Sequence, residues 1–326
     1  MAKNNFKLQD SNNDPGFGYL FPGQGSQIVG MGVQLYEMSA AARTVFHEVD
    51  MALGRPLTEV VFNGPEEALR DTVNAQPAIM AVSLAAARAM EEQLGLENMP
   101  SPSYMAGHSL GEFTALAMAE VLDVPVAVKL VQERSRLMQD VCEQQPGGMA
   151  ALFGIDLHTV GEVVRETGTY ISNVNTSEQV VISGDVIAIA HAIDLAYARG
   201  ARRAVPLKVS GAFHSALMEP AKKGLMEAVE KLEFHDPKVP IIGNCTGEPL
   251  TVADDVKREV IGQISSCVQW KNSIDYMLRS GISQFIEIGP GKVLASMVKR
   301  IDRGASSVSI GAVSYTHLTL PTNREV

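Results

Sequence analysis

Gly107-His108-Ser109-Leu110-Gly111 has the G-x-S-x-G spacing of a serine held on a sharp turn. Residues 104–107 ahead of it read as a short strand, and 110–122 behind it as a helix, the setting in which that spacing serves nucleophilic chemistry. Such a turn exposes the Ser109 hydroxyl. The start of the helix offers unbonded N–H groups, that of Leu110 first, to a developing oxyanion. The chemistry these features suit is acyl transfer through a serine ester.

A serine nucleophile needs a base within hydrogen-bond reach. The seven histidines are His47, His108, His158, His191, His214, His235 and His317. His108 adjoins the serine, but its side chain leaves the turn in another direction and is expected to border the pocket. His47, His158 and His191 fall in helical patterns, His235 near a proline turn, and His317 in a tail without a packing pattern. His214 stands in the loop Ser210-Gly211-Ala212-Phe213-His214-Ser215, where functional residues concentrate. From residue type alone, a solvated loop histidine and a catalytic base remain alternatives.

In the helical pattern 126–141, Arg134 shares a face with Leu130, Leu137, Met138 and Val141, whereas Arg136 aligns with Lys129, Gln132, Glu133 and Asp140. A guanidinium on an apolar face stays charged and requires an anion, which a planar carboxylate supplies bidentately. That anion is either an internal Asp or Glu or a substrate carboxylate.

These residues require a scaffold. Residues 17–21 read as a strand entering the glycine-rich turn Pro22-Gly23-Gln24-Gly25-Ser26, followed by helical patterns to 37 and over 40–53, 66–72 and 77–94. Alternating strands and helices predict an α/β fold around a mostly parallel sheet. From 147 the order becomes β-α-β-β-α-β, with strands at 149–155, 170–174, 179–184 and 201–209 and helices at 157–166 and 187–198. That order is a ferredoxin-like signature. The expected division is a disordered leader at 1–16, a discontinuous large domain at 17–146 and 210–311, a ferredoxin-like insertion at 147–209, and a non-native tail at 314–326. The cleft between the two domains is the expected site.

With 27 Lys and Arg against 37 Asp and Glu, the 326-residue chain carries a net charge of −10, which disfavours a nucleic-acid or anionic-membrane surface. No apolar stretch approaches the ~20 residues of a spanning helix, and the N-terminus lacks the apolar segment of a signal peptide. Cys142, Cys245 and Cys267 are too few and too scattered for a disulfide framework or thiolate cage, so a reducing, cytoplasmic location is expected. Gly23-x-Gly25 is followed by Ile28 where a dinucleotide fingerprint needs glycine, and Gly291-Lys292 lacks the P-loop glycine at Ile286. Neither NAD nor ATP is implied, and no cluster has metal-ligand spacing.

Phe21-Pro22-Gly23-Gln24-Gly25-Ser26-Gln27, Gln76-Pro77-Ala78, Gly107-His108-Ser109-Leu110-Gly111-Glu112, Gly211-Ala212-Phe213-His214-Ser215, Val268-Gln269-Trp270 and Glu287-Ile288-Gly289-Pro290-Gly291-Lys292 occur in that order. Together they resemble the malonyl-CoA:acyl carrier protein transacylases, a family that shares most of these blocks with polyketide-synthase malonyltransferase domains. The resemblance runs from about Gly18 to Arg300 and implies a hydrolase-like large domain. It makes Ser109 the nucleophile, His214 the base, and a backbone carbonyl at Gln269 the support of that base. It pairs the N–H groups of Gln24 and Leu110 as an oxyanion hole and gives Arg134 the free carboxylate of malonate. Gln76 and Asn173 line the pocket, and Phe213 is the bulky residue of malonyl-selective members. Glu120 departs from the resemblance, because relatives usually carry glycine there.

The implied reaction is ping-pong transfer of malonyl from malonyl-CoA to the phosphopantetheine thiol of a holo acyl carrier protein, supplying fatty-acid or polyketide synthesis. Coenzyme A thioester is a substrate, no cofactor is needed, and a monomer is expected. Carrier proteins are acidic, so a net-negative enzyme requires a local basic patch, for which Arg199, Arg202, Arg203 and Lys208 are the candidates. The alternatives are an acyl-thioester hydrolase on the same scaffold and a non-catalytic carrier-protein or thioester-binding subunit. Hydrolases resembling this family tend to lack the arginine that stands here at 134.

Overall fold

The structure, a computed structural model, describes residues 16–209 and 211–311. The readings made for the leader before Gly16, for Ser210 and for the tail with His317 lie outside the described residues.

Strand β1 (Phe17–Phe21) is buried along its whole length, as an apolar strand covered on both faces should be. Helices α1 (Val33–Met38), α2 (Ala40–Leu53), α3 (Leu57–Asn63) and α4 (Glu66–Arg70) follow. The next helix, α5 (Thr72–Leu94), begins five residues before the expected start at 77 and carries Pro77 inside it. Proline cannot donate to the Val73 carbonyl one turn back. Arg55 Nη2 donates to that carbonyl instead, at 3.0 Å, so the helix continues through the proline. Between Ala75 and Met90 almost every side chain of α5 is buried, which makes it the central helix of the larger layer.

Strand β2 (Pro102–Gly107) leads into α6 (Leu110–Met118) and then α7 (Val124–Gln144). Helix α6 stops before the expected residue 122 because Glu120 takes a left-handed conformation, φ 58°, while the Val121 N–H reaches back to the Leu116 carbonyl at 2.9 Å. This conformation favours glycine, the residue the family resemblance leads one to expect there. The Glu120–Lys238 ion pair is largely exposed and contributes little. Glu120→Gly is therefore expected to stabilise the fold by about 1 kcal/mol, raising the thermal midpoint by roughly 2 °C; a lowered midpoint would contradict the strain.

Next come β3 (Gly147–Phe153), α8 (Leu157–Thr167), β4 (Tyr170–Thr176), β5 (Gln179–Asp185), α9 (Val186–Ala198) and β6 (Arg203–Pro206). The four strands form an antiparallel sheet in the order β4-β5-β3-β6. Val160 and Val163 of α8 and Ile189 and Ala192 of α9 pack against Leu152 and Ile182 in a core of their own. The chain then returns through α10 (Glu219–Val229), β7 (Ile241–Ile242), β8 (Pro249–Leu250), α11 (Ala253–Gln263), α12 (Trp270–Arg279), β9 (Gln284–Ile288), α13 (Val293–Ile301) and β10 (Ser306–Ile310).

The larger sheet has the order β10-β9-β1-β2-β7-β8 and is parallel except for β8. This is an α/β fold with a mostly parallel sheet. Pairing sets Phe21 opposite Gly107, so the glycine-rich loop after β1 and the serine turn after β2 leave the sheet side by side. Open α/β sheets bind ligands at this carboxyl end. A single bridge, Asn173 with Val268, ties the smaller sheet to the chain entering α12. Among the described residues no helix is long and apolar enough to cross a membrane.

Candidate active site

Ser109 occupies the turn between β2 and α6 at φ 52° and ψ −105°, a strained backbone for a residue with a Cβ. The two motif glycines allow the turn by close approach. A Cβ on Gly111 would lie 2.0 Å from the Phe21 carbonyl oxygen, and one on Gly107 would lie 1.9 Å from the Gly111 carbonyl carbon. The strain is held by Asn244, whose Oδ1 accepts from the Ser109 N–H at 2.7 Å and whose Nδ2 donates to the Gly107 carbonyl at 2.7 Å. Leu110 is the first residue of α6, so its N–H has no intrahelical acceptor.

His214 closes on the serine from the far side of a cleft of about 470 Å³, with Nε2 at 2.7 Å from Ser109 Oγ. Its own backbone is also left-handed, φ 55°. Nδ1 stands 2.9 Å from the Gln263 carbonyl oxygen, which can only accept, so the proton sits on Nδ1 and the Nε2 lone pair faces the serine hydroxyl. The expectation for Gln269 is corrected here. The carbonyl that orients the imidazole belongs to Gln263 at the end of α11, whereas the Gln269 carbonyl accepts from the N–H and hydroxyl of Ser273 and starts α12.

Burial, with repulsion from Arg134 and His108, holds the His214 imidazole down to about 3 from an ordinary 6.5. A histidine depressed in this way stays neutral, with its Nε2 lone pair free to accept, throughout the physiological range. The kcat/KM for acylation should therefore remain flat as pH falls from about 8 to about 5, a range in which a solvated imidazole would lose most of its activity. An inflection near 6.5 would refute the buried base. The unfolded chain takes up this proton near 6.5 and the native state does not. The stability contribution is therefore complete above 6.5 and is lost as pH falls toward 3.

The helical-face reading of α7 holds. Arg136 is solvent-exposed and paired with Glu133 and Asp140, while Arg134 is fully buried. Arg134 has no ion pair among the described residues. Nη1 donates to Gln76 Oε1 at 2.6 Å, Nη2 to Gln263 Oε1 at 2.8 Å and to Ser109 Oγ at 3.2 Å, Nε has no partner, and the guanidinium lies 5.0 Å from the Phe113 ring centroid. Burial lowers its pKa to about 10, against the attraction of Glu112, so it remains a cation at neutral pH. A buried cation held by neutral amides beside a nucleophile is equipped to receive a carboxylate.

Gln24, Asn173 and Phe213 line the cleft, and Gln76 reaches its wall through Met138 Sδ at 3.4 Å. The loop carrying Gln24 lies directly on the serine turn, since a Cβ on Gly23 would come within 2.3 Å of the His108 carbonyl oxygen. His108 borders the cleft as expected, its Nε2 2.9 Å from Asn175 Oδ1 and its ring 5.5 Å from that of Trp270. The basic patch does not gather into one free cluster. Arg199 pairs with Glu162 and Glu166, Arg202 pairs with Glu178, and Arg203 lies over Phe153. Lys208 alone of the four lines the cleft. Carboxylates spaced across neighbouring elements neutralise what a run of arginines suggests in sequence.

Sequence reasoning missed Asn244, Gln263 and Asn175 and gave no role to Glu112. The only available signal was Glu112 inside the serine motif. Among the described residues no group of three His, Cys, Asp or Glu side chains is placed to hold a metal ion.

This geometry has close counterparts. The acyl transferase domain family matches residues 18–314. The malonyl CoA-acyl carrier protein transacylase of Bacillus subtilis is 39% identical over 312 residues, covering 94% of this chain and 97% of its own. The crystal structure of an acyl-carrier-protein-S-malonyltransferase from Bartonella henselae superposes with a TM-score of 0.88 at 39% identity, covering 91% of this chain and 96% of that one. A solved complex of a type II PKS acyl-carrier protein with its malonyl-transacylase gives 0.87 at 36% identity, again over 91% of this chain and 96% of that one. With a serine and a histidine meeting in one cleft, a buried arginine donating to that serine, and the match spanning almost the whole described chain, this protein belongs to the acyl transferase domain family.

Proposed function

We infer that this chain is an acyltransferase that moves the malonyl group from malonyl-CoA to the phosphopantetheine thiol of an acyl carrier protein. The carrying observation is Arg134, a buried cation with no ion pair among the described residues, 3.2 Å from the Ser109 hydroxyl, which itself lies 2.7 Å from His214 Nε2. His214 takes the Ser109 proton as Oγ bonds to the thioester carbonyl carbon. The Gln24 and Leu110 N–H groups receive the oxyanion. Collapse of the intermediate breaks the carbon–sulfur bond, and His214 returns the proton to the departing coenzyme A thiolate. The carrier thiol then attacks the malonyl-serine ester by the reverse path, with no cofactor consumed. Arg134 holds the malonyl carboxylate throughout, which selects the substrate and disfavours the hydrolase reading. Gln76 orients Arg134 by accepting from Nη1. Asn173 and Phe213 shape the acyl pocket.

The product feeds fatty-acid or polyketide chain extension. The carrier protein approaches the cleft mouth past Lys208 and Arg203, which have no ion pair among the described residues. The unit 147–209 is assigned as a ferredoxin-like insertion in a large domain of 17–146 and 210–311, supported by its β-α-β-β-α-β order and antiparallel β4-β5-β3-β6 sheet. A cytoplasmic monomer completes the reading. Intact mass spectrometry after brief exposure to malonyl-CoA tests it. A malonyl adduct discharged onto holo acyl carrier protein is expected. An adduct lost to water would establish the hydrolase instead, and no adduct would leave a binding subunit.

A further inference from the structure

Glu112 is fully buried on the first turn of α6, and neither the proton transfer nor the substrate contacts use it. Both of its carboxyl oxygens accept hydrogen bonds. Oε1 takes the Asn244 backbone N–H at 2.9 Å and Asn244 Nδ2 at 3.2 Å, and Oε2 takes Gln263 Nε2 at 2.6 Å. Each of these amides also touches the reacting groups with its other end. Asn244 Oδ1 accepts from the Ser109 N–H at 2.7 Å. Gln263 Oε1 accepts from Arg134 Nη2 at 2.8 Å, and Gln263 Nε2 also donates to the Ser109 carbonyl at 2.8 Å.

A carboxamide can sit in either of two orientations, and its neighbours decide which. Glu112 presents acceptors toward Asn244 and Gln263, and with the Gly107 and Ser109 carbonyls it draws their NH2 groups inward and leaves their oxygens for the serine turn and the guanidinium. Burial, with repulsion from the neighbouring carboxyl of Glu259, which accepts from the Cys245 N–H at 2.7 Å, raises the Glu112 pKa. A protonated Glu112 carboxyl still leaves lone pairs on both oxygens for the amides, so the orienting effect holds in either protonation state.

We propose that Glu112 is a positioning residue that sets the malonyl selectivity of the site by fixing the Gln263 amide, and through it the Arg134 guanidinium, while fixing the nucleophile's turn through Asn244. The inference rests on the malonyl-transfer reading. Glu112→Gln keeps the volume but replaces one acceptor oxygen with a nitrogen that cannot accept. One of the two amides then faces a donor, which opposes the orientation that the Gly107 or Ser109 carbonyl still favours and shifts its oxygen away from the Arg134 cation or the Ser109 N–H.

The test is the rate of Ser109 acylation from malonyl-CoA and from acetyl-CoA, with thermal midpoints, for the wild type, Glu112→Gln, Gln263→Leu and the double variant. Gln263→Leu keeps the backbone carbonyl that holds His214. Misplacing a positioned group costs on the order of tenfold or more. Each single variant should therefore lose malonyl acylation by that factor, with the malonyl-to-acetyl ratio falling. The double variant should have the ratio of Gln263→Leu alone, because the relay is already cut. An unchanged Glu112→Gln, equal loss of both acyl groups in step with a lowered midpoint, or additive effects on the ratio would each overturn the inference. A wild type that does not acylate from malonyl-CoA would instead remove the reading beneath it.

Discussion

Ser109→Ala abolishes the covalent malonyl adduct and lowers transfer to the carrier thiol by roughly 10⁴–10⁶-fold, the scale seen when a member of a cooperating nucleophile–base pair is removed. The loss is large because His214 has no second proton to take. Its Nε2 lone pair faces only the Ser109 hydroxyl, while its Nδ1 proton is committed to the Gln263 carbonyl. Folding should be unaffected, since the backbone at 109 is held by Asn244 and by the close contacts of Gly107 and Gly111 rather than by the hydroxyl. Intact mass after malonyl-CoA, alongside a thermal melt, checks both statements. A malonyl adduct on the alanine variant would move the nucleophile elsewhere.

Arg134→Ala gives the second largest effect, and its signature is selectivity. Truncating one partner of a buried, charge-assisted pair costs about 2–5 kcal/mol, or on the order of 10²–10³-fold in malonyl acylation. Acetyl-CoA has no carboxylate to strand, so acetyl acylation should fall far less. The guanidinium also donates to Ser109 Oγ at 3.2 Å and packs over Phe113, which sets a smaller loss common to both substrates. Measuring acylation from both thioesters separates the two contributions. Equal losses would show that Arg134 supports the fold and the serine without reading the carboxylate.

The parts of this site legible in sequence are those set by local geometry. The serine turn is a five-residue pattern whose glycines are required by close contacts, Gly107 with the Gly111 backbone and Gly111 with the end of β1, so type and spacing suffice. The buried arginine follows from a 3.6-residue period on a single helix, and the chain separated Arg134 from Arg136 without reference to its partners. The β-α-β-β-α-β order was legible for the same reason. Boundaries slipped where a local rule was overridden, at Pro77 by Arg55 from another element and at Glu120 by a left-handed cap.

The docking patch is only partly legible in sequence, for a different reason. Lysines and arginines can be read from the chain, but the acids that neutralise them come from other elements. Arg199 reaches Glu162 and Glu166 on α8 from the end of α9, and Arg202 reaches Glu178 between β4 and β5. The support of the base was misplaced by six residues, from Gln263 to Gln269, because a backbone carbonyl exists at every position and residue type does not mark the one in use.

By itself, the sequence determined the serine turn, the inward arginine and the alternation of strands and helices, which arise from short-range spacing and burial, while His214 was singled out by the family resemblance. Tertiary structure alone decided which acceptor orients His214 and that neutral amides, rather than a carboxylate, hold Arg134. It also decided that Glu112, Asn244 and Gln263 join into one hydrogen-bonded group behind Ser109. The physical reason is that periodicity encodes which face is buried. An amide's partner is instead set by strand order and packing, which here bring residues more than a hundred positions apart within 3 Å.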